Sequence, residues 1–303
     1  MLMRQLGTQW RKRSIITAVM VIALIASTLI YAVGRSGGGT GWKTEWSDDF
    51  AGPAGVRPSA ANWLTDTGTS YPGGAAAWGT GEVESFTKDP ANVALDGHGH
   101  LRITAIRDGN GAWTSGRLET TRTNFQPAPG QTLRIEARIK APNGGQGYWP
   151  AFWMLGKDFR GTYTNWPRVG EIDVFENIGR EQATVHGTFH CGVTPGGPCD
   201  ETNGIGGAYS IPNGSALSAG FHMYGIEWAR SGKHDEIRWY IDGHQYFTVH
   251  AADVDPTTWT NATRHGFFLL LNLAVGGTWP GAPNASTRSG AAMLVDSVSV
   301  SSR

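Results

Sequence analysis

Apolar and polar side chains alternate along most of the chain beyond residue 42. Leu133, Ile135, Ala137 and Ile139 are interleaved with Arg134, Glu136, Arg138 and Lys140, the two-residue period of a strand with one buried face. Residues 100–106 repeat that pattern. Residues 237–241 and 244–250 flank Asp242-Gly243, a dipeptide suited to the positive φ angles of a tight turn, and so predict a hairpin. Residues 267–275 are almost wholly apolar, as expected of a central strand covered on both faces. Residues 292–300 supply a last strand. No long amphipathic helix, internal repeat or second linker is visible, so an all-β fold is predicted, one antiparallel β-sandwich over residues 42–303.

The start of the chain has another pattern. Arg4, Arg11, Lys12 and Arg13 precede an uncharged apolar run over 14–33. A basic flank keeps its own end in the cytoplasm and places the rest of the chain outside. The run is longer than the ~7–15 apolar residues of an ordinary signal peptide and close to the ~20 that span a bilayer. No clean small-x-small cleavage site comes after it. Residues 1–13 therefore read as a basic cytoplasmic N-terminus, 14–33 as a signal peptide or a transmembrane signal-anchor, and 34–41 as a Gly-rich tether. Either form leaves the body of the protein extracellular, secreted or membrane-tethered.

Composition narrows the function classes. The 303 residues hold 25 Lys and Arg against 25 Asp and Glu, so no basic excess exists to grip nucleic acid. Charged residues are 17% and hydrophobic residues 40%, which excludes a disordered chain. The 43 Gly and 15 Pro are too many for a helical bundle. Cys191 and Cys199 are the only cysteines, which excludes a disulfide-dense scaffold and a four-cysteine zinc site. Nothing suggests a nucleotide or redox cofactor, and a monomer is expected.

Candidate chemistry concentrates in VGEIDVFEN, residues 169–177. On a strand, Glu171 and Asp173 point to one face and Ile172 and Val174 to the other. Glu176 would point away in a regular strand. One extra residue, a β-bulge near Val174–Phe175, returns it to the shared face, and bulges are common beside active sites. The two Glu α-carbons are then about four strand steps apart, ~13 Å. Side chains leaning inward bring the carboxylates near the ~5–5.5 Å used by retaining glycosidases. Three acids on one face cannot all ionise easily, so at least one should hold a raised pKa. A solvated acidic strand face is the alternative reading of these residues alone. Trp149, Trp153 and Trp166 precede the acids, and flat indole rings stack on sugar faces. Trp228 and Trp239 read as core.

The runs YWPAFWMLG (148–156), NWPRVGEIDVFEN (165–177), VHGTFH (185–190) and LLLNLAVGGTWPG (269–281) resemble glycoside hydrolase family 16, on its laminarinase-like, endo-β-1,3-glucanase branch. WSDDF (46–50), WGTGEVESFT (78–87), TSGRLET (114–120) and MLVDSVSV (293–300) extend the likeness over nearly all of 46–300. The resemblance implies a concanavalin A-like jelly roll with a substrate cleft on its concave face, and retaining hydrolysis of β-linked polysaccharides. It implies Glu171 as nucleophile, Glu176 as general acid and base, and Asp173 as the carboxylate assisting Glu171. Trp149, Trp153 and Trp166 match aromatic positions around the cleaved bond, and His190 a histidine lining the cleft, with His186 on the same strand face. A metal-binding pair is the competing reading of these two histidines. Arg117 is either a sugar contact or a structural ion-pair partner.

The family frequently holds a structural calcium ion away from the cleft, and Asp49 and Asp296 match its carboxylate ligands; surface acids without metal are the alternative. No cofactor is required for the chemistry. Three features depart from the family pattern. Gly81-Glu82 replaces a common Asn-Glu, residues 157–165 form a longer connection, and Cys191 to Cys199 is an insertion after His190. Those cysteines either close a disulfide loop beside the cleft or remain free buried thiols. Asn213, Asn261 and Asn284 lie in N-x-S/T sequons. The expected activity is endo-cleavage of β-1,3 linkages in laminarin-like β-glucans. The alternatives are an endo-β-1,3-galactanase, a mixed-linkage β-1,3-1,4-glucanase, a transglycosylase, or a non-catalytic glucan-recognition module.

Overall fold

Polar–apolar alternation translates directly into two stacked sheets. The computed structural model describes residues 41–232 and 234–303. The basic N-terminus, the apolar run and all of the tether but Gly41 lie outside the described residues. Among the described residues no helix is long and apolar enough to cross a membrane.

The larger sheet has ten strands. Its path runs His244–His250, Glu236–Ile241, His222–Ala229, Thr132–Lys140, Ala291–Ser302, Leu101–Arg107, Trp113–Ser115 and Glu84–Phe86. Lys43–Asp48 pairs beside Ala291–Ser302, and Val93–Leu95 beside Leu101–Arg107. The smaller sheet orders seven strands: Ile205–Ser210, Thr184–His190, Glu171–Glu176, Tyr148–Gly156, Phe267–Val275, Arg117–Thr120 and Trp63–Thr65. Pairing is antiparallel throughout except between Glu84–Phe86 and Trp113–Ser115. The result is the predicted jelly-roll sandwich. Its hairpin turns at Asp242 (φ 49°) and Gly243 (φ 80°), the positive φ pair that an Asp-Gly dipeptide tolerates.

Thr132–Lys140 buries every second residue. Its Ile135 and Ile139, with Ile226, Trp228, Ile237 and Trp239 from neighbouring strands, meet Phe152, Met154, Ile172, Val174, Phe175, Leu269 and Leu271 of the smaller sheet in one core. Each such side chain contributes about 1.5–3 kcal/mol of burial free energy. Phe267–Val275 is buried along its whole length. Its odd-numbered residues enter that core, while Phe268 and Leu270 join Leu155, Phe159 and Val169 in a second cluster under Tyr71, Trp153, Tyr163 and Trp166. Tyr163 belongs to the longer 157–165 connection, which therefore covers the outer side of this strand.

One α-helix is present among the described residues, Pro256–Thr263. Its sequence shows no strong amphipathic period. The helix is started by the Asp255 carboxylate, which accepts from the Thr257 and Thr258 N–H groups, with Pro256 in the first turn.

Candidate active site

The Glu171–Glu176 strand runs between Tyr148–Gly156 and Thr184–His190. Against the latter, Glu171 is registered with His190, Asp173 with Thr188 and Glu176 with His186. Three steps on one strand face two on the other, so one residue is extra. The opposite neighbour registers Asp173 with Trp153 and Phe175 with Phe152, which puts the bulge at Val174–Phe175, as the sequence predicts. Ile172, Val174 and Phe175 all enter the core. Glu171, Asp173 and Glu176 are left together on the outer face of the smaller sheet.

The bulge is held from behind. Trp239 crosses from the larger sheet and donates its indole N–H to the Asp173 carbonyl at 2.7 Å. Its ring needs the space over Gly187, where an added Cβ would lie 2.3 Å from Trp239 Cδ1.

Indole donors frame the acids in front. Trp166 Nε1 donates to Glu171 Oε2 at 3.1 Å, and Trp149 Nε1 to Glu176 Oε1 at 2.8 Å. Trp153 shares their face and donates to Asn272 Oδ1 at 2.6 Å. His190 Nε2 lies 3.3 Å from Asp173 Oδ2 and 4.0 Å from Glu171 Oε1. His186 instead meets Glu181 Oε2 at 3.0 Å and packs edge-on against Trp279. The two histidines thus serve different carboxylates and do not pair on one site. Trp279 also contacts Trp149, with ring centroids 5.5 Å apart.

Arg117 resolves to the ion-pair alternative. It is buried, pairs with Asp66 Oδ2 at 3.1 Å and donates to the Tyr71 hydroxyl at 2.8 Å. Its guanidinium lies over the rings of Tyr71, Trp78 and Trp153. The guanidinium thus backs the Trp153 ring as well as pairing with Asp66.

Asp49 and Asp296, the two candidate calcium ligands, each meet protein groups. Asp49 accepts from the Ala51 N–H. The oxygens of Asp296 face Arg138 Nη1 at 3.5 Å and His100 Nε2 at 3.8 Å, and a guanidinium so placed opposes a dication. Cys191 and Cys199 are joined in a disulfide, with Cα atoms 5.5 Å apart.

Electrostatics separates the acids. Burial, reinforced by the charge of Asp173, pushes both Glu171 and Glu176 above the ordinary carboxylate range. Burial opposes the charge on His190, but its contacts with Asp173 and Glu201 outweigh that and hold its pKa well above the usual histidine range. Nδ1 of this imidazole is hydrogen-bonded to Glu201, while Nε2 stands near Asp173 and Glu171 at ion-pair distance. Burial raises Asp173 as well, and the cation stands on the Glu171–Asp173 side of the cluster, so negative charge on this face is best compensated there and Glu176 is the acid most disfavoured from ionising. Such a set can attack on one side of a bond and protonate on the other.

Asn272, Trp279, Glu201 and Trp239 also contact the residues of this site, beyond those that the sequence points to. Asn272 and Trp279 stand inside the 269–281 motif and are legible there. Glu201 and Trp239 carry no local signal, because their targets lie 11 and 66 residues away.

A β-sandwich that gathers carboxylates and indoles on one sheet face defines a carbohydrate-active class of protein. The chain belongs to glycosyl hydrolases family 16, whose profile matches residues 81–296. It is 33% identical over 272 residues to a glucan endo-1,3-beta-glucosidase A1 of Niallia circulans, covering 84% of this chain and 37% of that protein. The chain thus spans little more than a third of that relative's length. A beta-glucanase of Rhodothermus marinus is 32% identical over 288 residues, covering 92% of this chain and 91% of its own length. The crystal structure of an endo-1,3-beta-glucanase from Streptomyces sioyaensis superposes with a TM-score of 0.85 at 52% identity, covering 89% of this chain and 99% of that one.

Proposed function

We propose that residues 42–303 form the catalytic domain of a retaining endo-β-1,3-glucanase acting on laminarin-like β-glucans. The observation that carries the reading is the bulge, which aligns Glu171 and Glu176 across Asp173 with one indole donor on each glutamate. In this reading Glu171 attacks the anomeric carbon as Glu176 protonates the departing glycosidic oxygen, so that one C–O bond forms while another breaks. The product is a glycosyl ester on Glu171. Glu176, now ionised, takes a proton from water, and the resulting attack releases Glu171 and a sugar of unchanged anomeric configuration. Asp173, held beside His190, assists Glu171. Trp149, Trp153 and Trp166 supply the stacking faces, and the chemistry needs only carboxylates and water. The glucan preference is supported by the activities that the Niallia, Rhodothermus and Streptomyces relatives carry in their names.

The apolar run at 14–33 and the disulfide support an extracellular domain, secreted or tethered. The mass of the native N-terminus separates those two forms.

The test offers laminarin, curdlan, lichenan and a β-1,3-galactan, and tracks product mass and anomeric configuration by proton NMR. The expected result is oligosaccharides from laminarin with retained configuration. Inverted products, or binding of glucan without any cleavage, would overturn the reading.

A further inference from the structure

The disulfide loop after His190 carries an acid back into the protein. Glu201, two residues past Cys199, has a fully buried side chain. Both of its oxygens are engaged: Oε1 accepts from the Cys191 backbone N–H at 2.8 Å, and Oε2 meets His190 Nδ1 at 2.8 Å. The other imidazole nitrogen faces Asp173 and Glu171 at 3.3 and 4.0 Å. Gly204 closes over the ring, since a Cβ there would lie 2.9 Å from His190 Nδ1. Trp166 packs against the ring from the loop before the acidic strand, with centroids 5.6 Å apart. The charged groups facing His190 are therefore Glu201 from the loop and Asp173 and Glu171 from the strand.

We propose that Glu201 is a positioning residue for glycoside cleavage, which through Nδ1 holds His190 as an imidazolium with Nε2 standing beside the Glu171–Asp173 pair. This rests on the proposed assignment of Glu171 as nucleophile and Glu176 as acid. A carboxylate buried in contact with imidazole favours the charged ring. That cation in turn lets Glu171 and Asp173 carry negative charge while Glu176 stays protonated. Glu201 also accepts from the first disulfide cysteine, so the loop insertion sets the ring's orientation as well as its charge.

Removing the loop carboxylate fixes the sign of the effect. E201Q lets His190 lose its proton at lower pH, and the Glu171–Asp173 pair then holds its proton to higher pH. The acidic limb of kcat/KM, which reports ionisation in the free enzyme, moves upward. Measured with the full chain on laminarin, E201Q is expected to shift that limb by about one pH unit. This corresponds to a roughly tenfold loss on the acidic side, with the plateau nearly kept. E201D should return the limb toward wild type. A limb that stays in place while kcat falls equally at every pH would overturn the proposal and leave Glu201 a packing residue. If E201Q does not fold, 15N NMR of the wild-type imidazole decides instead. His190 should remain an imidazolium well above the usual value of about 6.5, and titration at or below that value overturns the proposal. E171Q separates the two assignments. Wild-type turnover in E171Q sinks the nucleophile assignment itself, whereas an inactive E171Q with an unshifted E201Q limb sinks only the role of Glu201.

Discussion

Glu227 on the larger sheet and Glu176 on the smaller one are almost equally buried, 6% and 8% exposed, yet they titrate in opposite directions. Burial raises both. At Glu227 that is outweighed by Arg134 at 2.5 Å, Arg238 at 2.7 Å and Arg303 at 3.2 Å, and its pKa lies below the ordinary value. Glu176 has an indole N–H and two neighbouring carboxylates instead, and its pKa lies well above it. Low exposure alone therefore does not make an acid reactive; what covers the carboxylate decides, arginine side chains over Glu227 and a deeper, less charged surrounding over Glu176. One sheet surrounds its carboxylate with guanidinium groups and gains stability, while in the other the nearest cation, His190, sits beside Asp173 and only partly offsets the burial and like charge that raise Glu176.

Substitutions sharpen this contrast. E176Q should lower kcat on laminarin by about 10²–10⁴, the usual contribution of a general acid. Its thermal stability should be unchanged or raised, since a group that is costly to ionise is replaced by a neutral one. A stable E176Q with undiminished turnover would break the comparison. G187A should cost about 1–3 kcal/mol by overpacking against Trp239. It should also lower kcat, because the indole that holds the Asp173 carbonyl is displaced; denaturant unfolding and rates on one preparation check both. E227Q is the smallest and opposite case, about 1 kcal/mol of stability lost among partly exposed arginines with kcat unchanged. Loss of activity in folded E227Q would show that the two faces are coupled.

Much of this architecture is legible in the chain. The alternation over 132–140 predicts a strand with one buried face, and the Glu171, Asp173 and Glu176 spacing predicts a bulge at 174–175; both are present. These are local properties, set by a two-residue period and one extra residue within it. Arg117 is open in sequence between sugar contact and ion pair, and the fold places it in an ion pair with Asp66 among Tyr71, Trp78 and Trp153. The Asp296 oxygens are open to a metal in sequence, but Arg138 and His100 face them in the fold. The helix over 256–263 escapes a sequence reading because eight residues carry little periodic signal.

The sequence by itself determined the alternation that turns one face of each strand to the core, the Asp-Gly hairpin turn, and that Glu171 and Asp173 share one face, because side-chain direction along a regular strand depends on neighbours in the chain. The bulge that brings Glu176 to that face is fixed by pairing with the adjacent strands. Tertiary structure alone decided which groups surround each acid. Those surroundings depend on Glu201 reaching His190, Trp239 crossing between sheets to the Asp173 carbonyl and Arg117 being closed under rings. Those contacts join segments distant in sequence, and electrostatic energies in a low-dielectric interior change over a few ångströms.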